Sequence, residues 1–324
     1  MLNFVRKSWI YTAVAVGTLG GFLAAPVHAV DVDKLIPADA ESVVSIQFKQ
    51  ILEAPILKKF GIDGLARLAV ESNEDAQKII KQTGINPFTD IDSLTVGSSG
   101  NPEKGIKAVV ILRGKFNPDK ISKTVEEKAK EVGTEVKKIN EGGKTIWTAA
   151  AQGQEVFLAF VDNNAIVAST VKDNVIAALK GGRGSSEKFS SSMEAGLSKL
   201  SGKDILWSVS VITEEARKQM ASNDQFKEIG ENLDSVTMTL GLTDVAKMTM
   251  TAYTKDEKTA GKIKDLITQQ GIPFAKLMSS GDPKNAKNVG KVLDALKVES
   301  KEKSVSLQLQ VTEDDIRKMI NPGE

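Results

Sequence analysis

Apolar and polar residues alternate first in Ser42-Val43-Val44-Ser45-Ile46-Gln47-Phe48, which predicts a strand with Val44, Ile46 and Phe48 on one face. The period then lengthens. Ile51, Leu52, Ile56, Leu57 and Phe60 fit a helix restarted at Pro55 and stopped at Gly61, and 73–82 fits a second short helix. Two strands follow at 92–98 and 107–115, joined by the turn-rich Ser99-Gly100-Asn101-Pro102, so they pair antiparallel. Asn117 caps a helix in which Pro118 takes the first turn and Ile121, Val125, Ala129 and Val132 form one stripe. Strands at 135–139, 144–150, 155–161 and 165–169 are separated by Gly142-Gly143, Gln152-Gly153 and Asp162-Asn163-Asn164, the pattern of a meander. A helix over 171–180 ends at Gly181-Gly182.

The order of elements then recurs. Phe189, Met193, Leu197 and Leu200 repeat the helical stripe ahead of a strand at 204–211. Ile91-Asp92-Ser93-Leu94-Thr95-Val96 is echoed by Leu233-Asp234-Ser235-Val236-Thr237-Met238, and each segment leads through a second strand into a helix, 256–270 in the later case. A hairpin follows, with 297–300 and 304–311 flanking Lys301-Glu302-Lys303. Thr213 and Thr312 each cap a helix directly after a strand, with acids in the first turn and bases after them. The pattern predicts an α+β fold of two similar halves from one duplicated unit, each half an antiparallel sheet with helices packed on one face. The expected boundaries are 30–180 and 188–324, with 181–187, rich in Gly and Ser, as a flexible linker.

The first 29 residues read differently. Arg6 and Lys7 precede an uncharged run over 9–25, Pro26 closes it, and Val27-His28-Ala29 places small or modest side chains at the positions a signal peptidase reads, giving cleavage between Ala29 and Val30. The alternative is an uncleaved anchor, against which Gly17, Gly20, Gly21 and the weak apolarity of Thr12 and Thr18 count. With 43 basic and 42 acidic side chains the chain is nearly neutral, and losing Arg6 and Lys7 turns a formal +1 into −1. No nucleic-acid partner is expected, because nothing supplies the positive field that displaces counterions. Membrane contact is expected only through the leader, if it is retained.

Cysteine is absent, and the single histidine, His28, lies in the leader, so the processed chain would have neither imidazole nor thiol. That removes Ser-His-Asp and Cys-His catalysis, and with them zinc, copper, haem and iron–sulfur sites built on those ligands. Two S-x-x-K matches remain, Ser185 with Lys188 and Ser300 with Lys303, one in the linker and one across a hairpin tip. Neither supplies the buried lysine on a rigid helix that such a dyad needs. Acids cluster with lysines, as in Glu126-Glu127-Lys128, where solvated pairing explains them; Trp147 and Trp207 occupy strand positions that read as core. Gly181-Gly182-Arg183-Gly184 and Gly290-Lys291 lack the rest of a phosphate loop, and Asp162-Asn163-Asn164 is too short for a calcium loop. No catalytic, cofactor-binding or metal-ligating residue is assigned.

Leu35-Ile36-Pro37-Ala38-Asp39-Ala40 ahead of a strand, Pro55-Ile56-Leu57-Lys58-Lys59, Gly84-Ile85-Asn86-Pro87-Phe88-Thr89-Asp90-Ile91-Asp92 and Arg113-Gly114-Lys115-Phe116 resemble a set of exported bacterial proteins of unknown function over 35–180. The resemblance implies export and a repeated α+β fold and carries no catalytic residue. The expectation is an exported, periplasmic or extracellular, non-catalytic protein that binds a protein, envelope component or small ligand. A hydrolase acting through carboxylates alone is the alternative, and an anchored scaffold a third.

Overall fold

The structure is a computed structural model that describes residues 30–101, 105–131, 135–151, 153–184, 186–279, 290 and 292–320. The elements in chain order begin with β1 (Ser42–Ile46), α1 (Phe48–Glu53), α2 (Pro55–Lys59), α3 (Ile62–Glu71) and α4 (Glu74–Thr83). Next come β2 (Ile91–Asn101), β3 (Gly105–Gly114), α5 (Pro118–Glu131), the meander β4 (Val136–Glu141), β5 (Lys144–Ala151), β6 (Gln154–Asp162) and β7 (Ala165–Ser169), then α6 (Lys172–Leu179), α7 (Ser191–Leu197) and β8 (Leu206–Val211). The rest is α8 (Glu214–Ala221), α9 (Asp224–Asn232), β9 (Leu233–Leu242), β10 (Ala246–Thr254), α10 (Glu257–Leu266), α11 (Ile272–Ser279), β11 (Lys297–Lys301), β12 (Ser304–Val311) and α12 (Glu313–Ile320). Mixed helix and antiparallel sheet is the α+β architecture that the periodicities predict. Among the described residues no helix is long and apolar enough to cross a membrane.

Two compact units divide after Val211. In the first, eight antiparallel strands lie in the order β8-β1-β2-β3-β7-β6-β5-β4. The sequence reads 181–187 as the boundary; the structure moves it, because β8 pairs with β1 and Trp207, Val209, Met193 and Leu197 join the same core as Val43, Ile111 and Val167. Nor is 181–187 a free linker. Gly182 has φ +81°, the Arg183 amide donates to the Lys34 carbonyl at 2.7 Å, and the Arg183 guanidinium donates to the Ile36 carbonyl at 2.8 Å while lying over the Phe189 ring.

Helices lie on both faces of this sheet, where the sequence predicts one. α6 and α7 add Val175, Ala178, Met193 and Leu197 to the core on the Val43, Ile111 and Ile146 face. On the other side, Glu126 of α5 pairs at 2.7 Å with Lys138, which stands opposite Trp147 in the β4–β5 register. The reason is the composition of the central strands. Val44, Ile46, Leu94, Val96, Val110 and Leu112 make the second face as apolar as the first, and a sheet apolar on both faces needs cover on both. α3 and α9 are helices that the periodicity reading omits: Gly61 reads as a stop, and α3 leaves Leu65 and Leu68 exposed instead of burying a stripe.

In the second unit β11-β12-β10-β9 form an antiparallel sheet, with Met220, Ile229 and Ile263 of α8, α9 and α10 packed against Val236, Ala252, Val298 and Val305. The helix predicted over 256–270 runs on through a π-helical turn, Ile267–Gly271, into α11, and Pro273, which has no N–H to give to the preceding turn, stands directly after that irregular turn. The opposite sheet face is a grid of hydroxyls, with Ser235, Tyr253 and Ser304 in one cross-strand row and Thr237, Thr251 and Ser306 in the next. Burial pushes the Tyr253 phenol above its ordinary value, opposed in part by hydrogen bonds with Thr237 and Thr251. The folded state therefore holds this proton to higher pH than the unfolded chain, and stability falls as pH rises past about 10. Tyr253 and Tyr11 are the only tyrosines, so a chain beginning at Val30 titrates a single phenol. We expect its tyrosinate absorbance to appear late and Tyr253→Phe to flatten the alkaline loss of urea stability; an ordinary midpoint would refute this.

Candidate functional site

On the core-facing side of the first sheet, adjacent strands place polar residues at the same end. β1 presents Val43, then Ser45, with Gln47 just beyond the strand; β2 presents Gly97, Thr95 and Ser93; β3 presents Val109, Ile111 and Arg113. The register aligns Ser45 with Thr95 and Trp207, Thr95 with Ile111, and Ser93 with Arg113. Ser45 and Thr95 are buried at 2% and 6% exposure, where an aliphatic residue would ordinarily pack. Their hydroxyls lie 3.2 Å apart, and the Gln47 amide donates to Ser45 Oγ at 3.0 Å.

The polar end opens into a cavity of about 490 Å³ roofed by residues 31–34. This N-terminal strap, residues 30–36, is held at three points. Leu35 and Ile36 are buried, and Ile36 fits over Gly97, where a Cβ would come within 2.7 Å of its methyl. Asp33 caps its own turn by accepting from the Leu35 amide at 3.0 Å. Arg113 donates from Nε to Asp33 Oδ2 at 2.7 Å and from Nη2 to Oδ1 at 3.0 Å, a two-point fork between strap and sheet. The Asp33 hydrogen bonds outweigh desolvation and hold the Arg113 guanidinium above its already high ordinary value. From the other side, Arg183 binds the Lys34 and Ile36 carbonyls as described.

The side chains that hydrogen-bond Ser45 Oγ are Thr95 and Gln47, neither of which is a base. Asp31 and Asp33 both line the cavity, yet Asp33 is committed to Arg113 and Leu35 through both oxygens. Among the described residues no group of three or more His, Cys, Asp or Glu side chains is placed to hold a metal.

Of the residues singled out from sequence, Val27, Ala29 and Ser185 lie outside the described residues, while Val30 packs at the edge of the core as the first residue of the strap. Ser300 is on β11 and Lys303 lies in the turn after it. Asp162-Asn163-Asn164 forms the β6–β7 turn, with the Asn164 amide donating to Asp162 Oδ1 at 2.7 Å and the Asn163 and Asn164 carbonyls accepting from Phe116 and Gly114. Trp207 is core, as predicted, and also lines the cavity. Sequence reasoning missed Ser45, Thr95, Ser93, Gln47 and Arg113; the signal for them is polar residues that the register of β1, β2 and β3 brings to one end.

A smaller hollow of about 270 Å³ lies between α9 and the α10–α11 helical path. Glu228 there accepts from Lys262 and Lys258, which hold its carboxyl below the ordinary range, and the Gln225 amide donates to Gln270 at 2.8 Å. These exposed pairs are what a solvated helix face presents. No family model matches the sequence, and no curated protein or solved structure matches it significantly.

Proposed function

We propose that this chain is an exported, non-catalytic binding protein, released by cleavage after Ala29, whose ligand occupies the cleft beneath the strap. The observation that carries the binding reading is the cavity of about 490 Å³ at one end of the sheet face, lined by the polar groups of Ser45, Gln47, Ser93, Thr95 and Arg113 that adjacent strands bring together. Export is supported by the charged, apolar and small-residue order of the leader and by the resemblance over 35–180. The commitment of Asp33 to Arg113 favours binding over hydrolysis by paired carboxylates.

Two measurements test this reading. The intact mass of protein exported by its native cell is expected to match a chain starting at Val30; a chain that retains residues 1–29 overturns release and leaves the anchored scaffold. For the cleft, native mass spectrometry of the purified protein is expected to show a small molecule on the wild type and none on Ser93→Phe, which fills the cavity from a half-buried position. An equal load on both proteins removes the cleft from consideration.

We also read the two units as products of one duplication. The β2–β3 hairpin enters α5 and then another hairpin, and the β9–β10 hairpin enters α10 and then β11–β12. Superposing the two hairpin–helix segments should align Leu94 with Val236; a best fit in any other register ends the idea.

A further inference from the structure

We infer that the ligand of the cleft is a small, uncharged, hydroxyl-rich molecule of mono- or disaccharide size. The inference rests on the cleft being the binding site and goes beyond it to the chemistry admitted. The charged lining residues are two acids, Asp31 and Asp33, and two bases, Lys34 and Arg113. They offer no excess of either sign to compensate a desolvated ionic ligand, whose burial without a partner is costly. The strongest cation present is already paired, since Arg113 spends Nε and Nη2 on Asp33.

What remains is a set of neutral donor–acceptor groups: the hydroxyls of Ser45, Thr95 and Ser93 and the amide of Gln47. Ser45 and Thr95 bond each other and Ser45 accepts from Gln47, yet each hydroxyl keeps capacity to donate or accept, so such a lining can serve a ligand whose own groups do both, while it supplies no net charge to offset the desolvation of a carboxylate or an ammonium. Trp207, on the same sheet face beside Ser45, is a core residue that borders the cleft and backs its apolar side. A cavity of about 490 Å³ is within the usual range for small-molecule sites.

The test is calorimetric titration of the processed full-length protein with D-glucose, D-galactose, maltose and trehalose, beside D-glucuronate, citrate and spermidine as charged probes. Thr95→Val removes one cleft hydroxyl at constant shape. Ser93→Ala removes another that anchors nothing in the hydrogen bonding described above, so it stands in should Thr95→Val fold poorly. We expect at least one neutral saccharide to bind, none of the charged probes to bind more tightly, and either substitution to weaken saccharide binding about tenfold. Tighter binding of a charged probe that the substitutions weaken would overturn the ligand class and leave the cleft as the site. Saccharide binding indifferent to both substitutions would overturn the cleft itself. Failure of every saccharide to bind would overturn the inference, while the native-mass comparison of wild type and Ser93→Phe still decides whether the cleft is occupied.

Discussion

Gly182→Ala is expected to destabilise the protein by about 2–5 kcal/mol, far beyond what a substitution in a flexible linker does. Two effects add. At φ +81° a side chain meets the left-handed penalty of about 1–2 kcal/mol. The new Cβ would also come within 2.4 Å of the Lys34 carbonyl oxygen and 2.8 Å of its carbon, a clash with backbone that no rotamer relieves, worth about 1–3 kcal/mol. Urea unfolding of the full chain measures this, with two neighbours as internal controls. Gly181→Ala shares the positive φ but has open space around its Cβ, so it should lose only about 1–2 kcal/mol. Gly184→Ala has neither constraint and should fall within about 0.5 kcal/mol of wild type. Three equally silent substitutions would restore the linker reading. Because the displaced carbonyl belongs to the strap, Gly182→Ala should also impair whatever binds beneath it.

Most strands and helices were legible from period and punctuation, and the reasons are local. Asn117 and Thr213 cap helices where they were expected, and Asn73 and Asp256, read as the first residues of helices, cap theirs too, because a short polar side chain accepts from the backbone amide three residues on. Pro55 begins α2, as its fixed φ favours, and Gly84 ends α4 in the left-handed conformation. What composition could not reveal was long-range. Gly181-Gly182-Arg183-Gly184 has the residues of a linker, and only the packing shows that positive φ serves a tight turn that lets Arg183 reach Lys34 and Ile36. Likewise nothing local says that β8 pairs with β1, since a strand's partner is set by which register buries Val209 and Trp207.

The candidate site was illegible for a related reason. In β1 alternation marks Val44 and Ile46 as the apolar face, yet the more deeply buried face carries Val43 and Ser45. A lone serine in a strand means little by itself. It acquires meaning when the register sets Thr95 beside it, with Ser93 and Arg113 as the next cross-strand pair along the face, and that register depends on pairing between β1, β2 and β3. Asp33 and Arg113 are 80 residues apart, so no motif spacing could join them. The proposed leader is the converse case: its reading rests wholly on local order of charge, apolarity and size, and needs no fold.

The Arg113–Asp33 fork yields the second large effect. Arg113→Met should cost about 2–3 kcal/mol, because it leaves the Asp33 carboxylate, with its side chain only 11% exposed, with the Leu35 amide as its one remaining partner. The figure sits below that for a fully buried pair because Arg113 keeps 31% exposure and solvent screens part of the interaction. Arg113→Lys retains the charge but not the planar two-point geometry and should lose about 1 kcal/mol. The double variant Asp33→Leu with Arg113→Met separates the two roles of the pair. Removing both charges removes the orphaned carboxylate, so urea stability should return to within about 1 kcal/mol of wild type, a coupling that a double-mutant cycle reads directly. If the fork were only a structural staple, the double variant would also bind saccharide as the wild type does. If the fork instead fixes residues 31–34 over Ser45 and Thr95, stability returns and binding does not.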